Sequence, residues 1–371
     1  MNSCEAISAY LKSAQTPIWH KCCSSELHLL KVLMSCQFWR IRPHLGHEMK
    51  SISTTMRHSN NQNAPSAADK PAIKAFSDLF HQRLDALNLI KQLIHMVKAV
   101  QRHRGMSMGL LGGNALFREE FTRLQRQIAE RLQLFIAFAG RTHQLVPQRD
   151  QENLLSAWQT ISHDWQEDSV IDNYELHCHL IEQLLGLLAV LAKQLEQPIA
   201  AILASANEPT QIYATTAVYP NRFKQLEVLH FSTRLMPAVA EQIGRIRALA
   251  TYTSALGYCD ADYASKLRYV IQCTRVNNEK LRHQAKRMEG ILEKDSPLLI
   301  HLKSYEIKLI FLLNMVEQDV LTEGKITADS NRLFELATDI IDMYLNSVDE
   351  GTALIERWHN DEIETWITSS S

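Results

Sequence analysis

From Pro71 onward apolar residues recur at steps of three and four. Leu87, Ile90, Ile94, Val97 and Val100 fall on one stripe, and that spacing predicts a helix over 71–111. Asn114 opens a second helix to about Thr142, with Arg118, Glu119 and Glu120 in its first turns, and Pro147 opens a shorter third. Asp172 with Glu175 has capping-box spacing and predicts a fourth helix, ending near Gln197 ahead of Pro198. A looser stretch, Ser205 to Pro220, precedes four more helical patterns, over 221–256, 260–292, 297–321 and 327–367. Ser296 reads as the N-cap of the third of these, with Pro297 at its first helical position. No strand pattern interrupts them. Four helices, a break and four helices predict an all-α fold of two antiparallel four-helix bundles, over 71–204 and 221–368, for which end-to-end stacking is one arrangement.

Residues 1–70 differ from the rest. They hold Cys22-Cys23, scattered histidines and a polar tract from Ser51 to Lys70, which is a linker by composition. A poorly ordered extension is expected there. Met49 opens the tract, so Met49 or Met56 is read as the true start and residues 1–48 as a gene-start artefact. A short helical appendage is the alternative, which intact mass would decide.

Composition agrees with long helices. Glycine (12) and proline (10) are scarce for 371 residues, which disfavours sandwiches, barrels and glycine-rich nucleotide folds. A formal charge of -2 gives no global field toward nucleic acid or an anionic membrane. The seven cysteines include no CxxC pair and suit free thiols in a reducing, cytoplasmic compartment. The most apolar run, Gln183 to Ala192, is too short to span a bilayer, so no membrane partner is expected.

Two segments resemble each other: Gln101-Arg102-His103-Arg104-Gly105-Met106-Ser107 and Gly244-Arg245-Ile246-Arg247-Ala248-Leu249-Ala250. Each lies late in the opening helix of its set and carries Arg-x-Arg followed by a small residue, as a duplicated bundle would. Arg102 and Arg104 stand about 200° apart on a helix, so they cannot share a face. Counting back from Arg104 reaches Val100, Val97 and Leu93, and counting forward reaches Ser107 and Met108. Arg247 is flanked in the same way by Ile243 and Ala240 behind, and by Ala250, Thr251 and Ser254 ahead. Arg104 and Arg247 are therefore expected to face the core, with Arg102 and Arg245 off the stripe as secondary candidates. A buried guanidinium must be paired, and its fork suits planar oxyanions. Gly105, Ser107, Ala248 and Ala250 would leave room for such an ion. The competing reading is an internal salt bridge to a Glu or Asp.

The segment LIHMVKAVQRHRGMSMGLL resembles the bacterial nitrate- and nitrite-sensing (NIT) domain through Gln101, Arg104, Gly105, Ser107 and Gly109. GRIRALA is similar to that domain's second arginine segment at Arg247 and Ala248, and FELATDIIDMYLNSVD to its last-helix segment at Thr338 and Asp342. The resemblance spans roughly 75–360. It implies an all-helical sensor that binds nitrate or nitrite between helices through Arg104 and Arg247, with Gly105, Ser107 and Ala250 lining the site, and with no cofactor or metal. One departure stands out: Leu345 occupies the place where the family's last helix can supply a further arginine. No output module follows in this chain, so the signal is expected to pass to an unidentified protein partner or through a homodimer.

Other readings are weaker. Glu227-x-x-His230 and Glu356-x-x-His359 have di-iron spacing but solvated flanks. His177-Cys178-His179 looks metal-like, yet neighbours on a helix diverge. His301 faintly resembles a phosphotransfer histidine. Arg118, Arg123, Arg126 and Arg131 load one helix but alternate with Glu119, Glu120 and Glu130, so nucleic-acid binding is not expected. No catalytic motif presents itself, and an enzyme is not expected. A sensor and a helical scaffold remain. They differ in whether a carboxylate fills the cavity of Arg104 and Arg247.

Overall fold

The computed structural model describes residues 69–142, 144–196, 219–289, 292, 297–322 and 324–369, and among these there are helices and no strand. The reading of residues 1–68 and of the boundary between 204 and 221 lies outside the described residues. In the first half, α1 (Asp69–Leu111) is followed by a 3-10 turn (Ala115–Phe117), α2 (Arg118–Ala139), α3 (Gln148–Ser162) and α4 (Val170–Lys193). In the second, α5 (Tyr219–His230) runs through a π turn (Phe231–Leu235) into α6 (Met236–Leu256), followed by α7 (Ala261–Glu289), α8 (Pro297–Met315) with a π turn (Val316–Val320), and α9 (Ser330–Ser369).

Local chemistry sets the ends. The Asn114 side chain accepts from Leu116 N and caps the 3-10 turn that leads into α2. The cap of α4 sits earlier than Asp172–Glu175 spacing predicts. Ser169 is the N-cap, accepting from Asp172 N at 3.1 Å and donating to Asp172 Oδ2 at 2.6 Å. A hydroxyl in extended geometry is the better cap, so Asp172 becomes the third helical residue of that motif. Gly257 ends α6 at φ 84, a left-handed cap that an L side chain would strain.

The neighbour order is the same in both halves. In the first, α1 packs on α4 and on α2, and α3 packs on α4; in the second, α6 packs on α9 and on α7, and α8 packs on α9. The two sets lie side by side. α1 and α6 run parallel, so that Gln101 meets Glu241, Gly109 meets Thr251 and Gly112 meets Tyr252. α9 runs antiparallel to α1 along most of its length, through Arg83–His359, Lys91–Glu356 and Lys98–Asp342. One hydrophobic core therefore serves both sets, from Leu87 and Ile90 on α1 to Ile243 on α6 and Ile340 on α9.

By length and composition α4 could cross a membrane, yet half of its most apolar window is buried in the protein. Ile181, Leu184, Leu188 and Leu191 pack in the core, which accounts for its hydropathy.

Candidate functional site

Both arginines face the core, as their spacing predicts: Arg104 is 0% and Arg247 2% exposed. Their surroundings differ. Arg104 forks onto Glu241, with Nη1–Oε1 2.8 Å and Nη2–Oε2 3.1 Å. Nη1 also donates to Cys178 Sγ at 3.2 Å, and Tyr174 lies 5.7 Å from the guanidinium carbon. Glu241 is itself crowded with donors: Arg245 Nε reaches Oε1 at 2.8 Å and Gln101 Nε2 reaches Oε2 at 2.8 Å. Burial would favour protonated Glu241, but Arg104 and then Arg245 outweigh it and hold the carboxyl below its ordinary range. Burial likewise opposes the charge on Arg104, and Glu241 more than offsets it, so its pKa is raised.

Arg247 has no such partner. Nη1 donates to Thr338 Oγ1 at 2.8 Å, while Nε and Nη2 make no hydrogen bond. Its guanidinium carbon stands 4.9 Å from the Phe334 ring centroid, a cation–π contact. Among the described residues no carboxylate lies within ion-pair distance of it. Burial, then the positive charges of Arg104 and Arg102, push its pKa down to about 9. The Thr338 hydroxyl spends its proton on Phe334 O at 2.7 Å, so it is free to accept from Arg247.

Two glycines allow this approach. A Cβ on Gly105 would lie 2.7 Å from Phe334 Cε2 and 3.1 Å from Arg247 Nε, and one on Gly244 would lie 2.9 Å from Arg104 Nη2. Gly105 therefore lies against Arg247, and the space expected there for an ion is taken by the Phe334 ring. Ser107 turns instead to α4, its hydroxyl at 2.7 Å from Asn173 Oδ1 and 2.9 Å from Arg104 O. Ala250 is buried one turn beyond Arg247, and Thr251 beside it keeps a buried hydroxyl without a partner.

The secondary candidates are both paired. Arg102 meets Glu120 at 2.6 Å, and Arg245 bridges Glu241 and Glu182, the latter at 2.7 Å. Lys98 meets Asp342 at 2.9 Å. Of the five cations Lys98, Arg102, Arg104, Arg245 and Arg247, only Arg247 has no carboxylate within ion-pair distance among the described residues. Leu345 is a core side chain two turns past Thr338. Glu241 lies off the apolar stripe and so escapes a face count, although it is the only acidic residue on α6, a helix that carries two arginines.

Beside Arg104 lies a neutral histidine chain. His177 Nδ1 donates to Asn173 O at 2.6 Å, which leaves Nε2 to accept from His103 Nδ1 at 2.8 Å. His103 also stacks on Phe121 at 4.2 Å. Burial, then His177, holds His103 well below 6.5, and burial takes His177 to about 3 and His359, beside Arg83, to about 4. A depressed histidine pKa stabilises the fold fully above pH 6.5 and loses that contribution as pH falls toward the folded value. The urea midpoint should therefore fall between pH 7 and pH 5, at up to about 1.4 kcal/mol per pH unit for each histidine. A flat profile over that interval would mean the rings are hydrated.

The remaining motifs separate. Glu227 pairs with Arg287 and Glu356 with Lys91, while His230 lies exposed and His359 buried. His177 and Cys178 are core and His179 is exposed; among the described residues no three ligating side chains gather. The His301 side chain lies outside the described residues. Arg118, Arg123, Arg126 and Arg131 sit exposed along α2. A surface cleft of about 640 Å³, holding Arg118 and Trp165 between α1, α2 and the segment before α4, does not reach Arg104 or Arg247. Compared with known proteins, the chain matches no family model, no curated protein and no solved structure.

Proposed function

We propose that this chain is a sensory or regulatory domain that binds one small oxyanion, nitrate or nitrite, between helices at Arg247 and signals to a separate protein partner. One observation carries the reading. Arg247 is buried, charged, and keeps two nitrogens, Nε and Nη2, without an acceptor. A buried guanidinium in that state costs several kcal/mol, about the amount a bound monoanion would relieve. One guanidinium without an ion-pair partner favours a monoanion over sulfate. The resemblance of the two arginine segments to the nitrate- and nitrite-sensing domain adds the ligand class.

Access requires movement, because Arg247 is enclosed by α1, α6 and α9. An ion that enters only as these helices part binds one packing better than the other and shifts their balance, which is how binding becomes a signal. A second reading, a helical scaffold with structural arginines, is favoured by Glu241 in the fork of Arg104.

Thermal unfolding of the full chain in nitrate, nitrite, sulfate and chloride at matched ionic strength separates them. Nitrate or nitrite at about a hundred times its dissociation constant should add roughly 2.7 kcal/mol, with sulfate and chloride well below. Equal curves in all four salts would leave the scaffold.

A further inference from the structure

We infer that Arg104 and Arg247 head two halves of a duplicated anion site, and that Glu241 is a built-in ligand filling the first half and leaving the second for one external, flat, singly charged oxyanion. The two halves are built alike. Arg104 on α1 is closed by α4, with the Tyr174 ring at 5.7 Å and Cys178 Sγ at 3.2 Å. Arg247 on α6 is closed by α9, with the Phe334 ring at 4.9 Å and Thr338 Oγ1 at 2.8 Å. In each half the aromatic residue stands four positions before the polar one, on a helix antiparallel to the arginine's. Each guanidinium also lies against a glycine of the opposite half, Gly244 for Arg104 and Gly105 for Arg247.

The halves differ at one place. Arg104 and Arg247 are 143 residues apart, and the same offset relates Lys98 to Glu241. The position that gives Arg104 its carboxylate thus carries an amine in the other half, and that amine is committed to Asp342 at 2.9 Å. Arg104 spends Nη1 and Nη2 on Glu241 and leaves Nε unbonded, whereas Arg247 spends Nη1 on Thr338 and leaves Nε and Nη2, the fork on its other edge. The carboxylate on Arg104 shows the shape such a fork takes: two oxygens in one plane on two nitrogens. Nitrate, nitrite and formate share that shape and charge; sulfate does not.

For Arg247 this rests on the function proposed above, whereas the Arg104 half can be tested alone. In the full chain, Glu241→Ala removes the carboxylate and leaves space beside Arg104. Its Tm should fall in chloride, and formate or nitrate at the same ionic strength should restore more than half of the loss. Refolding yield from urea in formate against chloride reads the same effect if the variant does not fold in chloride. Adding Arg104→Met should cancel the restoration. Calorimetric titration with nitrate should give one site in the wild type and two in Glu241→Ala.

No restoration by formate or nitrate in either readout overturns the inference, and a single nitrate site in the wild type would then leave the proposed function standing. Restoration of Glu241→Ala with no site in the wild type would confirm the built-in ligand and remove Arg247 as the external one.

Discussion

Arg104→Met should cost about 3 kcal/mol of stability, read as a lower urea midpoint at unchanged m, because it strips the main partner from a buried carboxylate. The size follows from what Glu241 keeps. Arg245 and Gln101 still donate to it, so the loss falls at the low end of the range for a broken buried pair. Acid should shrink the difference. Glu241 is held below its ordinary value of 4.5, so its contribution is present above that pH and lost as pH falls. The variant has already lost most of it, so the two midpoints should converge on acidification. Replacing both partners, Arg104→Met with Glu241→Leu, should recover much of the loss, since apolar side chains of similar volume need no desolvated charge. A single variant as stable as the wild type would show that the pair contributes nothing and that the Arg104 centre is hydrated.

How far the chain could be read follows from which contacts are local. Periodicity found the helices within a few residues because each apolar stripe lies on one continuous segment. Counting by three, four and seven turned Arg104 and Arg247 inward for the same reason. Glu241 was beyond that method. It stands six residues before Arg247, off the stripe used for counting, and it pairs with an arginine on a helix 137 residues earlier. Its role depends on the register of α1 against α6, which side-chain pattern leaves open. The π turns at Phe231–Leu235 and Val316–Val320 each shift the helical face by about one residue, with no glycine or proline inside them to announce it. Side-by-side packing was equally hidden, because an apolar face on α9 reads the same whether α1 or α6 covers it. Ser107 shows the converse error. It lies on the arginine's side of α1, but that side is wide enough for Arg104 to meet α6 while Ser107 meets α4.

Arg247→Met should move stability the other way. In buffer without small anions the variant should be more stable than the wild type by about 1–3 kcal/mol, because a buried unpaired charge is exchanged for an apolar chain of similar length. Little is lost in return. Thr338 keeps its bond to Phe334 O, and Phe334 exchanges a cation–π contact for packing against sulfur. Nitrate should then raise the wild type and leave the variant unmoved, so the gap closes as the anion is added. Opposite signs at two equally buried arginines, Arg104 lost and Arg247 gained, are what a filled and an unfilled site require. If Arg247→Met instead destabilises by more than about 1 kcal/mol in every salt, its single bond to Thr338 is structural. The chain would then be a helical scaffold whose charges are all internal.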